Sequence, residues 1–300
     1  MFQLMYEVGM DVAVLADSAN VKYVSSFVVP YWTGWIGDVS WSAVIFMCNG
    51  NDLYFCMIYY KIKEHAGRKE SGDMEQKKVT EEAVRQWLEE SADTAYKKFQ
   101  ENLLPGIGNI LGVRLPVLRT TAKKLVRQDW QEWFFRGEDT LFEETMLRGL
   151  VMAYANVSVR ERFACIRAFV PAINNWAVCD SVCNTIKEAE KYPEEYWEFL
   201  GPYFDSDEEY EARFGAVMLL SHFVREEYLE GALCRLQSVH QKGYYAKMAV
   251  AWAISVYFAA FPEAVLAYLK SAPELDEFTY RKTLQKILES DRVDRDMKKR

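Results

Sequence analysis

The feature that most constrains the fold is an unbroken succession of short amphipathic segments from residue 81 to residue 300. Apolar residues recur in them at intervals of three and four, the repeat of one face of an α-helix. Proline and glycine separate the segments, at Gly112, Pro116, Pro171, Pro193, Gly201, Pro202, Gly243 and Pro262. Because no strand pattern interrupts the series, we expect an α-solenoid of stacked helix pairs rather than a four-helix bundle.

The sequence divides into three parts. Helices are predicted over 83–99, 116–127, 141–154, 159–169, 176–187, 194–204, 209–224, 227–239, 245–258, 263–269 and 278–288. Residues 1–60 form a small α/β segment instead, with helices at 2–8 and 18–24 and strands at 11–16, 42–48 and 53–58. The last two strands flank Asn49-Gly50-Asn51-Asp52, a sequence typical of a β-hairpin. Residues 61–80 are charged and lack an apolar period, which indicates a linker, or a solvated helix start, before the helical domain of residues 81–300.

The net charge and the spacing of the cysteines limit which ligands and sites can be expected. The chain has 36 Lys and Arg against 44 Asp and Glu, a net charge of −8. A nucleic acid must therefore meet a local basic patch rather than the average surface. The six Cys and three His include no CxxC and no paired His. Cys179 and Cys183 are four residues apart, but two ligands from one helix do not make a zinc site without further partners, so we expect buried thiols and no metal site. With neither a signal peptide nor a bilayer-length apolar run, a cytoplasmic protein without membrane contact is expected. We also expect a monomer.

One stretch points to chemistry. In the sequence Asn-Asn-Trp-Ala-Val-Cys-Asp ending at Asp180, Trp176 and Asp180 are four residues apart and so share one helix face. Arg213 and Trp252 occupy comparable places in two later helices. An acid between two indoles, with a guanidinium nearby, would suit a cationic ligand on a phosphate backbone.

A structural interpretation of the same residues also stands. A tryptophan in an amphipathic helix is usually part of the core, and an aspartate beside it is more often a helix cap or a solvated residue. Arg213 could equally form a salt bridge with Asp207 or Glu211. Spacing alone does not choose between these interpretations.

Several blocks in order give the helical part a family resemblance. They cover residues 111–119, 174–180, 211–220, 244–255 and 278–286. From about residue 81 to 300 the chain resembles the AlkD-type DNA alkylation repair proteins, which are HEAT-like α-solenoid DNA glycosylases. The resemblance implies a hydrolase that excises cationic N3- or N7-alkylated purines from double-stranded DNA, without a base-flipping pocket and without a cofactor. The alternative is a non-catalytic HEAT-repeat module that binds nucleic acid or protein.

The resemblance also assigns residues. It places Trp176, Asp180 and Trp252 against the damaged nucleotide as catalytic residues, and Arg213 on a backbone phosphate. Further basic residues are candidates for DNA binding along the same groove: Arg114, Arg119, Lys123, Lys247 and Lys282.

Residues 11–27 carry a second resemblance, to the N-terminal domain of creatinase and prolidase. It covers only part of that domain. No Asp, His and Glu ligand set of the associated peptidase domain appears later in the sequence, so we do not expect a metallopeptidase.

Overall fold

A computed structural model describes residues 78–137, 139–271 and 273–299, together with six short strands within the first 61 residues. The chain forms two compact units. One comprises residues 1–73 with 289–291, and the other comprises residues 74–288 with 292–300. The predicted helices at 2–8 and 18–24, and nearly all of the predicted linker, lie outside the described residues.

The described residues among the first 61 form antiparallel β-structure. Its strands are β1 (Asp11–Ala13), β2 (Thr33–Ile36), β3 (Val39–Ser42), β4 (Val44–Asn49), β5 (Asp52–Met57) and β6 (Tyr59–Lys61). Four of them form a sheet in the order β1-β6-β3-β2, while β4 and β5 form a separate hairpin. Asn49 pairs with Asp52, which leaves a two-residue loop and confirms the predicted hairpin.

The second unit is helical over its described residues. Its α-helices are α1 (Glu81–Glu90), α2 (Thr94–Leu103), α3 (Leu115–Leu125), α4 (Gln131–Arg136), α5 (Phe142–Tyr154), α6 (Val159–Phe169), α7 (Trp176–Cys183), α8 (Pro193–Leu200), α9 (Glu209–His222), α10 (Glu226–Ser238), α11 (Tyr244–Ala260), α12 (Pro262–Lys270) and α13 (Glu277–Glu289). Short 3-10 turns follow α6, α7 and α8. The mainly helical fold and the α-solenoid are thus confirmed.

Some helix boundaries differ from the predicted ones because side chains form hydrogen bonds with backbone groups at the helix ends. The single helix predicted over 83–99 is wrong, because Asp93 accepts the N–H groups of Ala95 and Tyr96, both at 3.0 Å, and begins a new helix there. The helix predicted over 176–187 ends at Cys183. Just beyond that end, the Asn184 amide donates to the carbonyl of Asp180 at 2.9 Å. Helix α4 is absent from the predicted set.

Five helices form one continuous layer of the solenoid. In the order α3, α5, α7, α9, α11, each packs against the next. Helix α5 is buried along almost its whole length. Gly149 permits this close packing, since a Cβ there would lie 2.4 Å from the Phe169 ring and 2.5 Å from Val182. This layer carries most of the predicted site residues.

The loop that leads into α3 is fixed by a buried carboxylate. Glu143 of α5 accepts the backbone N–H groups of Leu111, Gly112 and Val113 at 3.0, 2.7 and 3.2 Å. Gly112 has a φ of +92°, in the left-handed region that favours glycine. The contact sets the start of α3, the helix on which several predicted DNA-binding residues lie.

Candidate functional site

Asp180 and Arg213 form a buried ion pair between α7 and α9. The cap of α7 is Asn175, whose side chain accepts the N–H of Val178 at 2.9 Å. In the second turn of that helix Asp180 receives both arms of the guanidinium. Nε donates to Oδ1 at 2.9 Å and Nη2 donates to Oδ2 at 2.6 Å. Asp180 is 2% exposed and Arg213 is 6% exposed, so this charge-assisted, two-pronged contact is shielded from solvent.

A third helix joins this pair. The Nη1 of Arg213 donates to the Tyr245 carbonyl of α11 at 2.9 Å, while the Tyr245 N–H donates to Glu209 of α9 at 2.6 Å. Successive helices of the layer are therefore linked through the predicted site. The suggested pairing of Arg213 with Asp207 or Glu211 is wrong, because Asp180 from the preceding layer helix takes the guanidinium.

Both predicted indoles lie on this layer. Trp176 is the first residue of α7, one turn before Asp180, and Trp252 lies in the middle of α11. Each is half-buried and packs against the hydrophobic core. The core interpretation is therefore correct for the part of each residue that packs against the core.

Arg119 and Lys123 of α3 form a cationic pair around one tyrosine. Arg119 Nη1 donates to the Tyr154 hydroxyl at 2.9 Å and to the Thr185 hydroxyl at 2.8 Å. Lys123 Nζ lies 5.1 Å from the centre of the Tyr154 ring. The contacts of the described residues give neither cation a carboxylate partner. The positive charge of this pair is therefore held in place without being neutralised.

The other predicted DNA-binding residues have different surroundings. Arg114 donates to Asp93 through two nitrogens, at 3.2 and 2.9 Å. Lys247 forms an ion pair with Asp276 at 3.0 Å. Lys282 donates to the Gln285 amide at 2.8 Å. Two of these three cations are thus already paired with a carboxylate.

The cysteines beside Asp180 do not supply a nucleophile. Cys179 and Cys183 are both fully buried in α7. Burial, together with the neighbouring Cys179 thiol, raises the pKa of Cys183 well above its usual value. Among the described residues no group of three or more His, Cys, Asp or Glu side chains is arranged to hold a metal ion.

Two cavities lie away from the ion pair. One of about 470 Å³ lies between α10, α11 and the start of α13, and another of about 600 Å³ lies between α10 and α12. Neither is lined by Trp176, Asp180 or Trp252. The buried ion pair is therefore separate from both cavities. No helix in the described part of the chain is both long and apolar enough to cross a bilayer.

Four contributors to this region were missed in the sequence. Glu209 and Tyr245 fix the third partner of Arg213, while Tyr154 and Thr185 hold Arg119. Thr185 is 66 positions from Arg119 along the chain, so no local spacing could have indicated the contact.

Comparison with known proteins places these features in a family. The family model described as DNA alkylation repair enzyme matches residues 84–287, a range that includes every predicted site residue. The match leaves residues 1–83 outside, and nothing supports the creatinase and prolidase resemblance there. No curated protein matches the chain. Since the family model covers more than half of the sequence, the chain belongs to the DNA alkylation repair enzyme family.

Proposed function

We propose that this protein is a DNA glycosylase that hydrolyses the N-glycosidic bond of cationic N3- or N7-alkylated purines in duplex DNA. The observation that carries the proposal is the Asp180 carboxylate, held in a fixed orientation by Arg213 and one helical turn from Trp176. It lies on the same helix layer as Trp252. An acidic group on the same helix layer as two indoles suits a ligand that becomes more positive at its sugar as it reacts.

The chemistry needs little from the protein beyond electrostatics. An N-alkylated purine already carries a positive charge, so it can leave as a neutral base without being protonated. The base leaves with the electron pair of the broken C1′–N bond, which puts positive charge on the sugar, and a fixed carboxylate stabilises that charge in the transition state. A water molecule then adds to C1′ and releases its proton to solvent. Because Asp180 is almost fully buried and both of its oxygens are held, we assign it this electrostatic role rather than proton exchange with bulk water.

Arg213 acts in this scheme as a positioning residue. Its two donors on Asp180 and its third donor on the Tyr245 carbonyl fix the direction of the carboxylate. The phosphate contact implied by the family resemblance stays a prediction. It would require a phosphate oxygen to share the guanidinium with Asp180.

The two tryptophans supply aromatic rings at the proposed site. Trp176 and Trp252 are half-buried and pack against the hydrophobic core, which fixes each ring. A cation over an indole gains about 0.5–2 kcal/mol, depending on how far it is desolvated. The indoles would thus favour the charged lesion over a neutral base.

Arg119 and Lys123 are the strongest phosphate-binding candidates. Tyr154 and Thr185 orient them, and no carboxylate among the described residues is paired with either, whereas Arg114 and Lys247 would have to exchange a carboxylate for a phosphate. Each phosphate contact contributes about 0.9 to the slope of log affinity against log salt concentration. We therefore expect Arg119→Gln to lower that slope by about one, and Arg114→Gln to lower it less.

The direct test uses two duplexes of identical sequence that differ at one position, N7-methylguanine in one and uracil in the other. Free base is separated by chromatography after incubation with the protein. Release of methylguanine without release of uracil is expected, because only the former leaves as a neutral base without protonation. DNA binding with no base release would overturn the proposal in favour of the non-catalytic binding module. Arg119 and Lys123 would bind phosphates in either case.

A further inference from the structure

An exposed tyrosine stands at the first position of α11. Tyr244 is 55% exposed, yet its ring is supported on its edges. It meets Tyr245 with centroids 5.2 Å apart at 84° and Phe278 with centroids 5.8 Å apart at 60°. Tyr245 in turn stacks on Tyr210, at 5.7 Å and 27°. Four rings therefore form a continuous aromatic row from α9 to α13, and Tyr244 is its exposed member.

Two ammonium groups accompany this aromatic row. Lys247 Nζ lies 5.9 Å and Lys282 Nζ lies 6.0 Å from the centre of the Phe278 ring. The surrounding carboxylates have partners of their own. Lys247 pairs with Asp276, the Tyr245 N–H donates to Glu209 and Arg281 pairs with Glu277. Asp276 and Glu277 are thus each paired with a cation, while Glu209 keeps its negative charge and is held by a backbone N–H.

The aromatic row also adjoins the proposed catalytic site. The carbonyl of Tyr245, the residue after Tyr244, accepts the hydrogen bond from Arg213 that helps to hold Asp180. Trp252 lies two turns further along the same helix. A strand whose damaged nucleotide lies at Asp180 would therefore have neighbouring nucleotides within reach of the row.

We propose that Tyr244 is a stacking site for an unpaired nucleobase of the bound DNA, with Lys247 and Lys282 beside the flanking phosphates. Every base has a π face, so an exposed aromatic ring next to cations binds unstacked bases without reading their sequence. The proposal rests on the proposed function only in taking DNA as the ligand. Its consequence is a preference for DNA with an extrahelical base over fully paired DNA.

The test measures affinity by fluorescence anisotropy for two duplexes, one fully paired and one with a single bulged adenine. The proteins are wild type, Tyr244→Ala, Tyr244→Phe and the control Tyr192→Ala, which removes another exposed tyrosine at the start of α8. Tyr244→Ala should weaken binding of the bulged duplex about tenfold, the usual loss for one base–aromatic stack. The paired duplex should change less than about twofold, since a base within the helix has no free face to stack. Tyr244→Phe should retain the bulge preference because the ring is retained, and Tyr192→Ala should match wild type.

Three results would overturn the stacking site. They are equal losses on both duplexes, a wild type without preference for the bulge, or a Phe variant as weak as the Ala variant, which would indicate a hydroxyl contact. A wild type that binds neither duplex would also overturn it. The glycosylase proposal is decided separately in every case, by base release from methylated DNA.

Discussion

The buried pair of Asp180 and Arg213 makes a quantitative prediction about stability. Arg213→Met keeps much of the side-chain length but leaves the Asp180 carboxylate, 2% exposed, without its partner. Removing one member of a buried pair costs about 3–5 kcal/mol, since the remaining charge is neither solvated nor paired. For a unit of this size each kcal/mol lowers the melting temperature by about 2–4 °C. We expect thermal unfolding followed by circular dichroism to show a decrease of about 6–20 °C.

An exposed pair of similar geometry provides the control. Arg114 also donates to its carboxylate, Asp93, through two nitrogens, but the two side chains are 51% and 36% exposed. Arg114→Met should therefore cost less than about 1 kcal/mol. The double variant Asp180→Leu with Arg213→Met should be more stable than Arg213→Met alone, because no buried charge remains. If Arg213→Met loses no more stability than Arg114→Met, the reasoning about a desolvated carboxylate fails.

Three further predictions concern the indoles, a glycine and pH. Trp176→Ala and Trp252→Ala should each slow single-turnover base release by about 2–30-fold, the equivalent of one cation–π contact, while Phe at either position should restore part of it. Gly112→Ala should lower the melting temperature because its Cβ would lie 2.5 Å from a backbone oxygen at a φ of +92°; an unchanged melting temperature would contradict this. Burial opposes ionisation of Glu144, but hydrogen bonds from Arg85 and two backbone N–H groups outweigh it and lower its pKa below 4.5. The stabilisation that ionised Glu144 gives the fold is therefore present above about pH 4.5 and is lost as the pH falls through the lowered pKa. When the free energy of unfolding is measured against pH, Glu144→Gln should lose less stability on acidification than wild type does.

The helical fold could be predicted from sequence because its signals are local. The three-four apolar period and the proline and glycine positions determine where most helices lie, as for Val159–Phe169, which was predicted residue for residue. The division between α1 and α2 was missed because the apolar period continues across Asp93, whose capping contact interrupts the helix. The spacing of apolar residues does not reveal where a side chain caps the backbone and so ends one helix and begins the next.

The site could be predicted only in part. The spacing of Trp176 and Asp180 on one helix is a local property, and the structure retains it. The partner of Asp180 lies 33 positions away, and the choice of Asp180 over Asp207 or Glu211 depends on how α7 packs beside α9. The neutral partners of Arg119 likewise come from two other helices or their ends. Such contacts depend on tertiary packing, which sequence spacing does not contain.

The central claim, that Asp180 carries the chemistry, is tested most directly by single-turnover release of N7-methylguanine from duplex DNA. Asp180→Asn is compared with Asp139→Asn, which alters another buried aspartate, paired with Arg148. Both substitutions remove the carboxylate charge from a buried ion pair, but only Asp180 lies at the proposed catalytic site. We predict a loss of about 100-fold or more for Asp180→Asn, the scale of removing one electrostatic group, and a rate near wild type for folded Asp139→Asn. Equal rates for the two variants would contradict the assignment.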